Sequence, residues 1–150
     1  MSYIPKDAKW YLADIVIEHR IEGDTRNVIH INTLLVRANS PERAYTRAMK
    51  LGQEAQYECR NSDDKEVQLV FRGLAGLSVI HDQLRSGAEL IYQERIGLME
   101  EQVEKLILPK AKLDVFEETP KPSKDKPNYM PKDIMEGLGQ ADFTDNDLFS

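Results

Sequence analysis

Trp10-Tyr-Leu-Ala-Asp-Ile-Val-Ile-Glu-His-Arg-Ile21, then Glu22-Gly-Asp-Thr-Arg-Asn27, then Val28-Ile-His-Ile-Asn-Thr-Leu-Leu-Val-Arg37, is the stretch that decides the fold. Tyr11, Ala13, Ile15, Ile17 and Ile21 recur with period two, which places them on one face of a strand. Asp14, Glu18 and Arg20 share the other face with Trp10, Leu12 and Val16. The polar cluster between the two β-branched runs is turn chemistry, so the pair reads as an antiparallel hairpin. A turn symmetric about Asp24 and Thr25 sets Ile15 opposite Leu34, Ala13 opposite Val36 and His19 opposite His30. The second face carries Leu12, Val16, Ile29, Ile31 and Leu35, more apolar surface than a fully solvated face holds. The tail, the second helix or another subunit is expected to cover part of it.

Outward from the hairpin, Ser40-Pro-Glu42 supplies a cap, a first-turn proline and an acidic residue at the positive end of a helix. Its buried stripe is predicted as Ala44, Ala48, Leu51 and Ala55, flanked by Tyr45 and Met49, with Arg43, Arg47 and Lys50 outside. Val67, Leu69 and Phe71 mark a third strand, which Gly73 and Gly76 interrupt as a bulge or bend would. Leu77 to His81 and Glu89 to Arg95 read as two further short strands. Met99, Val103, Leu106 and Ile107 follow helical spacing up to the stop at Pro109. The expected fold is α+β: an antiparallel sheet of four to five strands, in the order β-β-α-β-β-β-α, with a helix on one face.

Five of the seven prolines lie between 109 and 131, which divides the chain into an expected domain at 8–108 and a flexible, proline-containing linker with an acidic, aromatic tail at 109–150. The 150 residues carry a net charge of −6, and −3 of it falls from residue 109 onward. This balance argues against direct nucleic-acid binding through a basic surface. The basic residues Lys105, Lys110 and Lys112, with Arg43, Arg47 and Lys50, are interleaved with acidic ones and lack an aromatic ladder. A mean hydropathy of −0.54 and no apolar run longer than Trp10 to Ala13 predict a chain that does not cross a membrane. Cys59 is the only cysteine, so no internal disulfide forms and no Cys-x-x-Cys zinc pair exists. With no leader pattern at the amino terminus, the expected location is cytoplasmic. The P-loop, His-Glu-x-x-His and Gly-x-Ser-x-Gly signatures are absent, so no catalytic role and no cofactor is expected.

Five segments, namely Trp10-Tyr-Leu-Ala-Asp-Ile-Val16, Val28 to Ala38, Ser40-Pro-Glu-Arg-Ala-Tyr45, Phe71-Arg-Gly-Leu74 and Val79-Ile-His-Asp82, together resemble a small bacterial family known as domain of unknown function 4288. Its Arg-Gly-Leu hallmark is matched at Arg72, Gly73 and Leu74. The resemblance spans about residues 10 to 115. It implies a bacterial source and one α+β domain, and it brings no activity and no catalytic residue.

Three constellations carry chemistry. His19 and His30, facing each other across the hairpin, can begin a metal site, with His81, Cys59 or Asp82 as a third ligand; a small metal-dependent enzyme built on His19, His30 and His81 is therefore one alternative function. His81 beside Asp82 can act as a general base, although neighbours in extended chain point apart and Asp82 suits a cap better. Arg72, next to Gly73, can offer its planar fork to a carboxylate or phosphate of a partner, or close an internal pair with Asp14 or Glu18, which is preferred. The tail places Asp142, Asp145 and Asp147 beside Phe143, Leu148 and Phe149, the pattern of a docking peptide in which charge steers and aromatics bury. It resembles the acidic tip of single-stranded DNA-binding proteins and the end of a clamp-binding peptide, so a replication or repair accessory that docks through the tail is a second alternative. It departs from the first by Ser150 after Phe149 and from the second by Asp145 in place of Gln. The leading expectation is a non-catalytic protein-interaction module, immunity-like or regulatory, that uses its sheet surface and tail and has a protein partner or a second copy of itself.

Overall fold

The computed structural model describes residues 3–118 and 123–132. Its order is β1 (Trp10–Ile21), β2 (Val28–Arg37), α1 (Pro41–Glu54), β3 (Tyr57–Arg60), β4 (Glu66–Val79) and α2 (Glu100–Leu106), followed by short 3-10 turns at Lys110–Lys112 and Asp114–Phe116. The four strands form one antiparallel sheet in the order β2-β1-β4-β3. The architecture is α+β, as expected.

The hairpin forms, but two residues out of the expected register: Ile15 faces Asn32, Ala13 faces Leu34, and His19 faces Val28. The cause lies in the turn. The Asp24 amide bonds the Ile21 carbonyl at 3.1 Å and the Asp24 carboxylate accepts the Arg26 amide at 2.9 Å, so the chain reverses earlier than a symmetric turn would. A slip of two leaves every side chain on its expected face, since only odd slips exchange faces.

The later strands differ from expectation. One 14-residue strand, β4, replaces the two predicted between Val67 and His81. Gly73 and Gly76 do not end it: its register against β1 shifts between Asp14 and Ile15 and again between Val16 and Ile17. These two bulges leave Ala75 and Arg72 without a partner residue on β1. β3, Tyr-Glu-Cys-Arg, is four residues long, too short for its alternation to stand out in the sequence; it is held by its ladder with β4. Glu89 to Arg95 forms no strand, having no neighbouring strand to bond among the described residues.

Ser40 caps α1 by accepting the Arg43 amide at 3.2 Å, with Pro41 in the first turn. Ala44 and Ala48 are buried against Tyr11, Ala13, Val36, Ala38 and Val79, which is the core under the helix. The buried stripe continues to Gly52 instead of the expected Leu51, because the Phe71 ring lies where a Gly52 side chain would stand. Small residues therefore set the close approach of helix and sheet.

Candidate binding surface

α1 covers only one end of one face. The opposite face, built from even residues of β1 and odd residues of β2, carries no helix among the described residues. Leu12 is buried within it, while Ile29, Ile31 and Leu35 on β2 stand exposed. Its polar part is organised around Glu18. The Glu18 carboxylate accepts from Asn27 at 2.8 Å, from Arg72 at 2.9 Å and from Arg20, whose salt bridge measures 3.0 Å. The Asn27 hydrogen bond, then those of Arg72 and Arg20, holds the Glu18 carboxyl down at about 2 against the opposing effect of burial. Arg72 reaches it because it is the extra residue of a bulge beside Gly73, whose φ of 135° re-aims the strand. Arg72 thus meets Glu18 of its own sheet. Nearby, Asp14 accepts the Thr33 hydroxyl at 2.6 Å. A shallow hollow beside this bulge is lined by Met49, Gln53, Gln56, Phe71, Arg72 and Gly73.

On the helix-bearing face, the register slip makes His19 and His30 diagonal neighbours. Their ring centroids are 4.4 Å apart, and the Tyr129 ring sits edge-on to both, at 5.2 Å from His19 and 4.8 Å from His30. His19 is buried with no partner for its Nδ1 among the described residues, and burial, followed by the neighbouring His30, pushes its pKa below the ordinary histidine value. His81 does not join them. It stacks on Tyr3, centroids 6.4 Å apart, at the end of the sheet where Val79 faces Tyr11. Eight residues of β1 separate Tyr11 from His19, about 26 Å at strand rise. Among the described residues no three His, Cys, Asp or Glu side chains gather as metal ligands. Asp82 accepts the Glu89 amide at 3.0 Å, a turn cap in place of a partner for His81. Burial raises the Cys59 thiol pKa, which disfavours its thiolate.

Two features escaped the sequence reading. The first is a strap: residues 123–132, inside the expected flexible linker, return to the hairpin end of the sheet. Asn61 bridges to Pro131 and donates to the Asn128 carbonyl at 2.9 Å, Asn128 reaches Ser62 at 2.7 Å, and Arg26 holds the Asp125 carbonyl at 2.6 Å. The signal was present as Tyr129 and Met130, an apolar island between Pro127 and Pro131. The second is an arm, residues 82–118, whose large apolar side chains are mostly uncovered; Tyr92, Ile96 and Val115 are 72%, 86% and 84% exposed. The predicted tail residues Phe143, Asp145, Asp147, Leu148 and Phe149 lie outside the described residues.

Sheet, strap and arm define a class: a small four-stranded antiparallel α+β domain with one helix-covered face and a separate apolar arm. The chain belongs to the family described as domain of unknown function DUF4288, whose family model matches residues 10–92. The match ends within the arm, short of the residue 115 expected from the resemblance. No curated protein and no solved structure matches the chain. No helix among the described residues is long and apolar enough to cross a membrane.

Proposed function

We propose that this chain is a non-catalytic protein-interaction module of the bacterial cytoplasm, immunity-like or regulatory, and that its arm and its uncovered sheet face receive a protein partner. The observation that carries the reading is the arm. Leu90, Ile91, Tyr92, Ile96, Met99, Ile107, Val115 and Phe116 are exposed, with no apolar cover of their own among the described residues. Burying such a side chain contributes roughly 1.5–3 kcal/mol, so a partner that covers several of them gains a large apolar contribution. Glu89, Glu94, Glu100, Glu101 and Glu104 lie among them with Arg95, Lys105, Lys110 and Lys112 interleaved, so the stretch is mixed in charge with a small acidic excess.

The test is capture from a cell extract with the full chain and with an Ile96→Asp, Val115→Asp double variant. A partner retained by the parent and lost by the variant, with both melting at the same temperature, is the expected result. Equal capture by both proteins, or a variant that melts well below the parent because the arm belongs to the core, refutes the reading. The replication or repair alternative predicts another pattern, in which Phe149→Ala abolishes capture and the arm variant leaves it intact.

A further inference from the structure

The two edges of this sheet are treated differently. At the β3 edge the outer strand is four residues long and bears Glu58 and Arg60, and Asn61 beside it is bridged by Pro131. Past β3, β4 has two bulges, and its Phe71 amide is held by the Gln56 side chain at 3.1 Å. Short length, charge, bulges and cover are the ordinary ways a sheet avoids pairing with another chain.

The β2 edge has almost none of them. Val28–Arg37 runs for ten residues with no proline and no acidic residue, and with one full charge, Arg37, at its last position. Its register with β1 contains no shift. The phase of that ladder is fixed by the Ala38 amide, which donates to the Lys9 carbonyl at 2.9 Å. Lys9 and Ala38 extend the β1–β2 register, so even-numbered residues of β2 bond β1 and odd-numbered ones turn their N–H and C=O groups outward. The Arg47 side chain takes the outward carbonyl of Arg37. Ile29, Ile31, Thr33 and Leu35 present the rest of the row, and no backbone partner meets it among the described residues. Three of these four are the exposed apolar residues of the uncovered face, Ile29 at 47%, Ile31 at 60% and Leu35 at 50%.

We infer that β2 is a pairing edge for a second copy of this chain, β2 against β2 in antiparallel register, joining two four-stranded sheets into one of eight. A two-fold axis through Thr33 makes this self-complementary: Thr33 faces Thr33, Ile31 faces the partner's Leu35 and Ile29 faces the partner's Arg37. In that register odd-numbered residues oppose odd-numbered ones, so the outward N–H groups of Ile31, Thr33 and Leu35 meet outward carbonyls. Odd residues also share a face, so Ile29, Ile31 and Leu35 of both copies merge into one apolar stripe. An identical strand also brings no like charge opposite itself, because Arg37 meets Ile29.

The experiment is sedimentation equilibrium of the full chain from low micromolar concentration upward, with amide hydrogen exchange on the same samples. The expected result is a concentration-dependent shift from one chain to two, with exchange at Ile29, Ile31, Thr33 and Leu35 slowed about tenfold or more in the dimer. Ile31→Pro removes only an outward N–H, and Leu35→Lys installs an edge charge while leaving the backbone intact; both are expected to stay monomeric. The Ile96→Asp, Val115→Asp arm variant is expected to dimerise like the parent, which separates this inference from the partner-binding role of the arm. A monomer at every concentration overturns the proposal. So does a dimer whose outward β2 amides exchange as fast as in the monomer, or one that survives Leu35→Lys.

Discussion

Asn61→Ala is the most informative single change in the described structure. Asn61 is 1% exposed at the end of β3, and its side chain is used at both ends. Its Oδ1 accepts the amides of Asp63 and Lys65 at 3.0 and 2.9 Å, closing the turn into β4, while its Nδ2 donates to the Asn128 carbonyl of the strap at 2.9 Å. Truncation to alanine strands two amides and one carbonyl. At about 0.5–1.5 kcal/mol for each hydrogen bond the loss is roughly 1.5–4.5 kcal/mol, and about 3 kcal/mol is expected. Only one of the three bonds belongs to the strap, which makes the effect divisible. In a chain ending at residue 122 the same substitution is expected to cost about 2 kcal/mol, leaving a coupling of about 1 kcal/mol between Asn61 and the strap. Urea unfolding of the four proteins, with slopes compared to confirm equal exposed surface, measures both quantities. A cost below about 0.5 kcal/mol in the full chain refutes the assigned turn bonds, and zero coupling refutes the docking of the strap on Asn61.

Three further outcomes follow from the packing and the titrating groups. Because the folded His19 pKa lies below its ordinary value of 6.5, the unfolded chain binds more protons as pH falls through that value; the urea midpoint is expected to drop from near neutral pH downward, and His19→Phe to flatten that slope. Glu18, whose folded pKa is held near 2, contributes in the same sense at lower pH: its stabilisation is full above about 4.5 and disappears toward 2, a second acid limb that Glu18→Gln removes. Gly52→Ala should gain about 1 kcal/mol of helix propensity yet destabilise by about 1–3 kcal/mol on balance, since the added methyl falls inside contact distance of the Phe71 ring. Phe71→Leu in the same chain is expected to recover part of that loss, read from thermal melts.

How much of this was legible depended on whether a residue's partner lies nearby in sequence. The first hairpin and α1 were readable because their signals are local: alternation from Trp10 to Arg37, a turn cluster between, and a Ser-Pro-Glu cap. The turn itself hid the register, since nothing in Glu22 to Asn27 announces that Asp24 bonds back to Ile21. Parity survived the slip, and with it the prediction that His19 and His30 share a face and sit close together. The inclusion of His81 failed for a topological reason: β4 runs antiparallel to β1, which carries its end to the far side of the sheet from His19. Arg72 was readable as either a ligand-facing fork or an internal partner, and the bulge that turns it toward Glu18 was signalled by Gly73.

Periodicity reports the environment a segment is built for, and that environment need not lie in the same chain. Glu89 to Arg95 has the composition of a strand and forms none, while β2 is a full strand bonded, among the described residues, on one side only. Both departures fall where apolar residues stay exposed, Leu90, Ile91 and Tyr92 on the arm and Ile29, Ile31 and Leu35 on β2. The excess of apolar residues on the hairpin's second face called for a cover, and the strap, which lies across His19 and His30 on the opposite face, does not supply it. α2, with no buried residue, does not supply it either. Of the three covers the sequence allowed, the tail beyond residue 132 lies outside the described residues, and a second subunit paired along β2 meets the outward backbone row while joining the apolar stripes of the two copies.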